Sequence, residues 1–195
     1  MRSCPQRLVQ IRPFSQIEAE ALLTLTPPTE YLYPSWSQAA SEWPADSHQD
    51  GTGLRLAPDP IDQTVFTTWV RRLRQHADHS LPVPAGEVHT TFLWIMTSDT
   101  YAGAIDIRHY LNDLLAEAGG HIGYSVRPSQ RGMGTATWAL RTALPIARDL
   151  GLERVLLTCD PNNEASRKTI ERNGGIFEST KETTLGVKQR YWISL

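Results

Sequence analysis

Cysteine is scarce: the 195 residues hold two, Cys4 and Cys159. Two cysteines cannot build the disulfide framework of a small secreted domain, so a reduced, cytosolic setting is the expectation. Long apolar runs are missing as well. The stretch from Phe92 to Met96 is about a quarter of the ~20 residues that a membrane-spanning helix requires. Met1 to Pro13 alternates Arg and Gln with single aliphatics and lacks the continuous apolar core of a secretion signal. No membrane partner is expected. Basic residues are not in excess either: 19 Lys and Arg stand against 21 Asp and Glu, for a net charge of −2. That balance leaves no broad positive field for a phosphate backbone, so nucleic acid is not an expected partner. Metal-ligand patterns are lacking too. His76 and His79 stand three apart on a polar helix with no Cys or acidic set to complete a site, so they read as solvated and no metal is expected.

What is present suits one globular domain over residues 1–195, with enough length for a single well-buried core. The chain opens with a short strand at Leu8 to Ile11. Ser15 and Glu18 then form a capping box that starts a helix running to about Leu25. Residues 26–60 carry Pro27, Pro28, Pro34, Pro44, Pro58 and Pro60, and read as a long loop insertion. Tyr31, Tyr33, Trp36 and Trp43 argue that this loop is packed. Trp36 and Trp43 are candidate substrate-binding residues if it lids a site, and anchors of a surface segment if it does not.

Asp62 to His76 places Val65, Trp69, Val70 and Leu73 on one face of an amphipathic helix. Strands are predicted at Val88 to Met96 and Ala102 to Ile107, forming a hairpin, and at His121 to Val126. The last third alternates regularly. A helix from Thr135 to Leu150 repeats apolar residues at spacings of 4 and 3 and stops at Gly151. A buried strand at Arg154 to Cys159 follows, then a helix from Asn163 to Arg172 stopped by Gly174 and Gly175, then strands near Ile176 to Lys181 and Lys188 to Ile193.

The most informative stretch is Val126-Arg-Pro-Ser-Gln-Arg131-Gly132-Met133-Gly134-Thr135-Ala136, between a strand and a helix. Its glycines let backbone approach a ligand closely, and the first helical turn aims free N–H groups at an anion. A diphosphate cradle and a plain strand-to-helix turn both fit this pattern. A Rossmann fingerprint fits badly, because its third glycine is Thr137 here and Gly132 lies too far past the strand. A phosphate-binding P-loop fails because no Lys-Ser or Lys-Thr pair follows.

Arg131-x-x-Gly134-x-Ala136, with Asn163-Glu-Ala-Ser166 and Asn173-Gly174 downstream, resembles the acetyl-CoA signature of the GNAT N-acetyltransferase superfamily. The order of strands and helices along the whole chain is similar to that family's. Arg108-His-Tyr-Leu-Asn112, Gly119-Gly-His-Ile-Gly123 and Arg190-Tyr-Trp192 resemble a bacterial branch known mainly as predicted acetyltransferases. The resemblance implies an α/β (α+β) fold with a mostly antiparallel central sheet of six to seven strands flanked by helices, and an acetyl-CoA-binding core over 121–175. It implies an acetyl-CoA-dependent N-acetyltransferase acting by direct attack of a primary amine of a small molecule or peptide. Val126 and Arg131, Gly132, Met133, Gly134, Thr135 and Ala136 would hold the pantetheine and pyrophosphate. Asn163, with Ser166, would reach the pantetheine arm, although an Asn there caps a helix equally well. Departure from the family pattern at one position, where Ile170 replaces the usual proton-donating tyrosine, motivates an alternative: an acyl-CoA-binding module without catalysis. A nucleotide-binding interaction protein is the third reading.

Direct transfer needs a neutral amine, and holding an alkyl amine of pKa ~10.4 neutral near pH 7 costs roughly 4 to 5 kcal/mol. A base must therefore help. His121, with an unperturbed pKa of ~6.5, is nearer to that task than Asp106, which would need a rise of about 3 units. A histidine bonded to backbone at a strand start is the structural alternative for His121. His109 and Asp113 are lesser candidates.

Overall fold

The computed structural model describes residues 23–44, 47–57 and 61–195. The expected strand at Leu8 to Ile11, the capping box of Ser15 and Glu18, and Cys4 lie outside the described residues. Among the described residues, seven strands form two antiparallel sheets. In the first, β1 (Leu23–Thr26), β2 (Thr90–Thr97), β3 (Thr100–Arg108) and β4 (Ile122–Val126) lie in sequence order. In the second, β7 (Gly186–Ser194) lies between β5 (Arg154–Cys159) and β6 (Ile176–Thr183). The family expectation of a mostly antiparallel, helix-flanked sheet holds, with the seven strands divided between β4 and β5.

The apolar run of β2 is explained by burial on both faces. Leu93 and Ile95 join Ile105, Ile107, Leu140 and Ala143 under α3 (Thr135–Asp149), the helix expected at 135–150. Phe92, Trp94 and Met96 point the other way, onto Phe66, Trp69 and Leu73 of α2 (Gln63–Gln75). Asp62 caps α2 by accepting from the Val65 N–H at 2.8 Å. Phe66 rather than Val65 occupies its buried face.

Two expectations fail in the first third of the described chain. Residues 23–26 are a strand, not the end of a helix: Leu-Thr-Leu-Thr alternates with period two and pairs with β2 in the register Leu23 to Thr97. Residues 26–60 are not one loop, because α1 (Tyr33–Ala40) lies inside them. Pro34 stands in its first turn, where the missing N–H costs nothing, so that proline starts a helix rather than breaking one.

Candidate active site

β4 and β5 meet at one point and then part. The backbone N–H of His121 donates to the Leu156 carbonyl at 2.7 Å, and the Leu156 N–H donates to His121 Nδ1 at 2.9 Å. Gly120 permits this approach: with φ 67 and ψ −173 it occupies backbone space almost reserved for glycine, and a Cβ there would lie 2.4 Å from the Leu156 oxygen. Beyond that contact the strands open around a cleft of about 560 Å³, lined by Gly123 to Val126 of β4 and by Thr158 and Cys159 of β5. Because β4 is laddered to β3 along its other edge, strand alternation turns the N–H groups of Tyr124 and Val126 toward this gap.

The glycine loop closes one end of the cleft. Gly132 and Gly134 both adopt left-handed backbone, at φ 79 and 83, which only glycine takes at little cost. Gly134 is the N-cap of α3, and no side chain caps this helix. Its first-turn N–H groups, from Thr135 to Thr137, therefore face the cleft without an internal partner. Lys168 and Arg172, from α4 (Glu164–Arg172), add positive charge to the lining.

Eight of the nine residues expected to bind the cofactor line the cleft: Val126, Arg131, Gly132, Gly134, Thr135, Ala136, Asn163 and Ser166. Met133 does not, and its side chain is exposed at the loop tip. Asn163 does cap α4, its Oδ1 accepting from the Ser166 N–H at 3.0 Å. Its amide nitrogen is the part with donors to offer a ligand. Ser166 Oγ lies 2.9 Å from the Tyr124 hydroxyl, placing two hydroxyls between β4 and α4. Burial raises the pKa of that phenol, so it stays protonated. Cys159 is also in the lining, its thiol pushed up to about 11 by burial and by the neighbouring Asp160 carboxylate. Ile170, at the position of the missing tyrosine, is fully buried core.

The residues expected to do proton chemistry lie elsewhere. His121 is buried outside the lining, with Nδ1 engaged by Leu156. Burial, with Arg108 and Arg154 nearby, lowers its pKa to about 4, so its lone pair serves the junction of the two sheets rather than an incoming proton. Asp106 is buried behind β4, where Oδ1 accepts from the Gly123 N–H at 2.8 Å and Oδ2 pairs with Arg108 Nη2 at 3.1 Å. Burial raises its pKa against the pull of Arg108. The same guanidinium donates to the carbonyls of Gly119 and Gly120, so the pair braces the approach to β4. His109 bonds Thr91 at 2.8 Å and His79 at 2.7 Å, outside the lining, and burial lowers its pKa to about 4. Asp113 is exposed and is not in the lining. Nor is His76 solvated: it is buried, with Nε2 2.6 Å from Glu87. Among the described residues no cluster of His, Cys, Asp or Glu could hold a metal.

The two tryptophans part company. Trp36 is core, against Phe66 and Trp69, and does not touch the cleft. Trp43 lines it, but at the glycine loop, where Arg131 Cζ stands 4.6 Å above its ring. Beside it, Glu42 pairs with buried Arg127 at 2.6 Å and accepts the Ser129 N–H at 3.0 Å. The segment after α1 thus braces the glycine loop. No spacing pattern announces Glu42, since its partners lie more than eighty residues away.

The sequence model of the acetyltransferase (GNAT) domain matches residues 10–176. No curated protein matches the sequence. Among solved structures, RimL, a ribosomal-protein alpha-N-acetyltransferase in complex with coenzyme A, superposes with a TM-score of 0.64 at 17% identity, over 91% of this chain and 96% of that one. RimJ from Mycobacterium smegmatis, with a CoA-disulfide, gives 0.62 at 19% identity, over 88% and 81%. The microcin C7 self-immunity acetyltransferase MccE, with acetyl-CoA and AMP, gives 0.63 at 14% identity, over 89% and 92%. At these identities the structures show a shared fold. Among the described residues no helix is long and apolar enough to cross a membrane.

Proposed function

The chain belongs to the GNAT acetyltransferase family, and we propose that it is a single-domain enzyme moving the acetyl group of acetyl-CoA onto a primary amine of a peptide or small molecule. One observation carries this reading: a single cleft unites an uncapped helix N-terminus behind two left-handed glycines with the open edge of β4. The first suits a pyrophosphate and the second an extended amide arm. Arg131, Lys168 and Arg172 would supply counter-charge at the phosphate end, and the Asn163 amide a donor to the pantetheine. Acetyl-CoA, when bound, supplies the activated thioester.

This chain's own groups would then serve the transfer. The gap-facing N–H groups of Tyr124 and Val126 are the donors available to polarise the thioester carbonyl and to hold the oxyanion that develops on it. The amine attacks the carbonyl carbon, a C–N bond forms, and the C–S bond breaks. A thiol pKa of ~8.5 makes the departing thiolate easy to neutralise. The Tyr124–Ser166 hydroxyl pair offers a proton where the family's tyrosine is replaced by Ile170. An acceptor of peptide type draws support from RimL being an alpha-N-protein acetyltransferase, and a small-molecule acceptor from MccE being solved in complex with acetyl-CoA and AMP. Incubation with acetyl-CoA, a thiol reagent and a panel of amines and amino-terminal peptides tests the proposal. Amine-dependent CoA release is the expected result; binding without release, or no binding, overturns it.

A further inference from the structure

With His121, Asp106 and His109 engaged outside the cleft, the proton of the acceptor ammonium needs another home. His48 and Asp50 both line the cleft, with His48 Nε2 2.9 Å from Asp50 Oδ1. They lie on the same wall as Gly123, the β4 residue before the gap-facing edge. The turn that carries them is fixed by the core rather than left to solvent. Gly51 packs so closely on β4 that a Cβ there would lie 2.4 Å from the Gly123 oxygen. The buried Thr52 hydroxyl donates to the Gln49 carbonyl at 2.8 Å. The indole N–H of Trp69, deep in the core, donates to the Gly53 carbonyl at 3.1 Å.

We infer that His48, oriented by Asp50, is the general base that takes the proton from the acceptor amine. The inference rests on the acetyltransferase reading above and adds to it the residue that makes the nucleophile. With Nε2 facing the carboxylate, the Nε2–H tautomer is favoured and Nδ1 presents the lone pair. The ammonium gives one proton to Nδ1, the neutral amine attacks the thioester carbon, and the thiolate leaves. The second nitrogen proton, released as the amide forms, neutralises the thiolate through the Tyr124–Ser166 hydroxyls. The imidazolium then returns its proton to solvent at the open mouth of the cleft, where its side chain is 83% exposed.

Charges on the neighbouring elements bear on this base. Asp50 raises its pKa, through the hydrogen bond first and charge second, while Lys188 of β7 and Arg108 of β3 oppose that rise. Lys188 is itself paired with Asp160, and Arg108 with Asp106. The result stays above the ordinary histidine value.

The test uses the full chain with His48→Gln, His48→Ala and Asp50→Asn, measuring acetyl-CoA affinity by calorimetry and acceptor kcat/KM from pH 5.5 to 9.5. Both His48 variants should bind acetyl-CoA as the wild type does and lose about 10²-fold in kcat/KM at pH 7. Raising the pH should restore part of that loss, as more amine becomes neutral unaided. Asp50→Asn should lower kcat/KM at pH 7 severalfold, because the carboxylate no longer fixes the Nε2–H tautomer, and should move the acidic limb to lower pH, because the group that raises the His48 pKa is gone. A purely structural dyad would not move that limb. A wild type that turns over while His48→Gln keeps its rate and profile overturns the base alone; a wild type that releases no CoA with any amine removes the acetyltransferase reading and the base with it.

Discussion

Glu42→Gln isolates the brace between α1 and the glycine loop while preserving the size of the side chain. In the wild type, Arg127 is buried, its side chain 7% exposed against 26% for Glu42. Removing one partner of a fully buried pair costs about 3–5 kcal/mol, and of an exposed pair about 1 kcal/mol or less. A pair buried on one side and a quarter open on the other falls between, at about 1–3 kcal/mol. For a domain of this length each kcal/mol moves the melting midpoint by roughly 2–4 °C, so the variant should melt roughly 3–10 °C lower at pH 7. The pH dependence is the sharper test. Hydrogen bonding to Arg127 is the main cause that holds the Glu42 carboxyl at about 2, against 4.5 when unperturbed. A depressed carboxyl contributes stability that is full above pH 4.5 and lost as the pH falls toward 2. The gap between wild type and variant should therefore shrink to less than half at pH 3, measured by circular dichroism melts at both pH values. Acetyl-CoA affinity should fall a few-fold as well, since Glu42 also holds the Ser129 N–H at the entry to the loop. Equal midpoints at pH 7, or a difference that survives undiminished at pH 3, would refute the argument.

His121→Ala should leave the shape of the pH–rate profile intact but cost about 1–3 kcal/mol in urea unfolding, because the Leu156 N–H loses its partner inside the sheet junction; loss of the acidic limb instead would return the base to His121. Gly120→Ala should cost about 3 kcal/mol or more by the same assay, as backbone strain adds to a contact with the Leu156 oxygen that neither strand can relieve. Trp36→Ala should destabilise by about 3–5 kcal/mol with no selective change in acceptor KM, whereas Trp43→Ala should raise the acetyl-CoA KM about two- to tenfold by freeing Arg131. Steady-state kinetics on each folded variant separates the two tryptophans.

Much of the fold is written in local pattern. The spacing of Ala136, Leu140, Ala143 and Ala147 defines α3 within a residue of its ends, because a helix buries whatever recurs every three or four positions. The hairpin of β2 and β3, the buried strand β5 and the Asn163 cap are legible for the same reason: each is decided by neighbours in the chain. So is the glycine loop, since Gly132 and Gly134 must take left-handed backbone wherever they stand between that strand and that helix. β1 escaped because four residues show little period, and its partner β2 lies some seventy residues on.

What tertiary structure decided is which of several chemically equal side chains faces the cleft. Six histidines are equal in the sequence; Leu156 takes the lone pair of one, Glu87 and His79 engage two others, and the turn at Gly51 carries His48 to the open wall. Two tryptophans seven residues apart go to the core and to Arg131. Alternation along a strand says which face a residue takes, but not which distant backbone will hold its nitrogen. That partner is chosen only when β4 and β5 meet at one residue and part at the next, so composition and spacing specify the glycine loop while the packed chain decides which histidine faces the cleft.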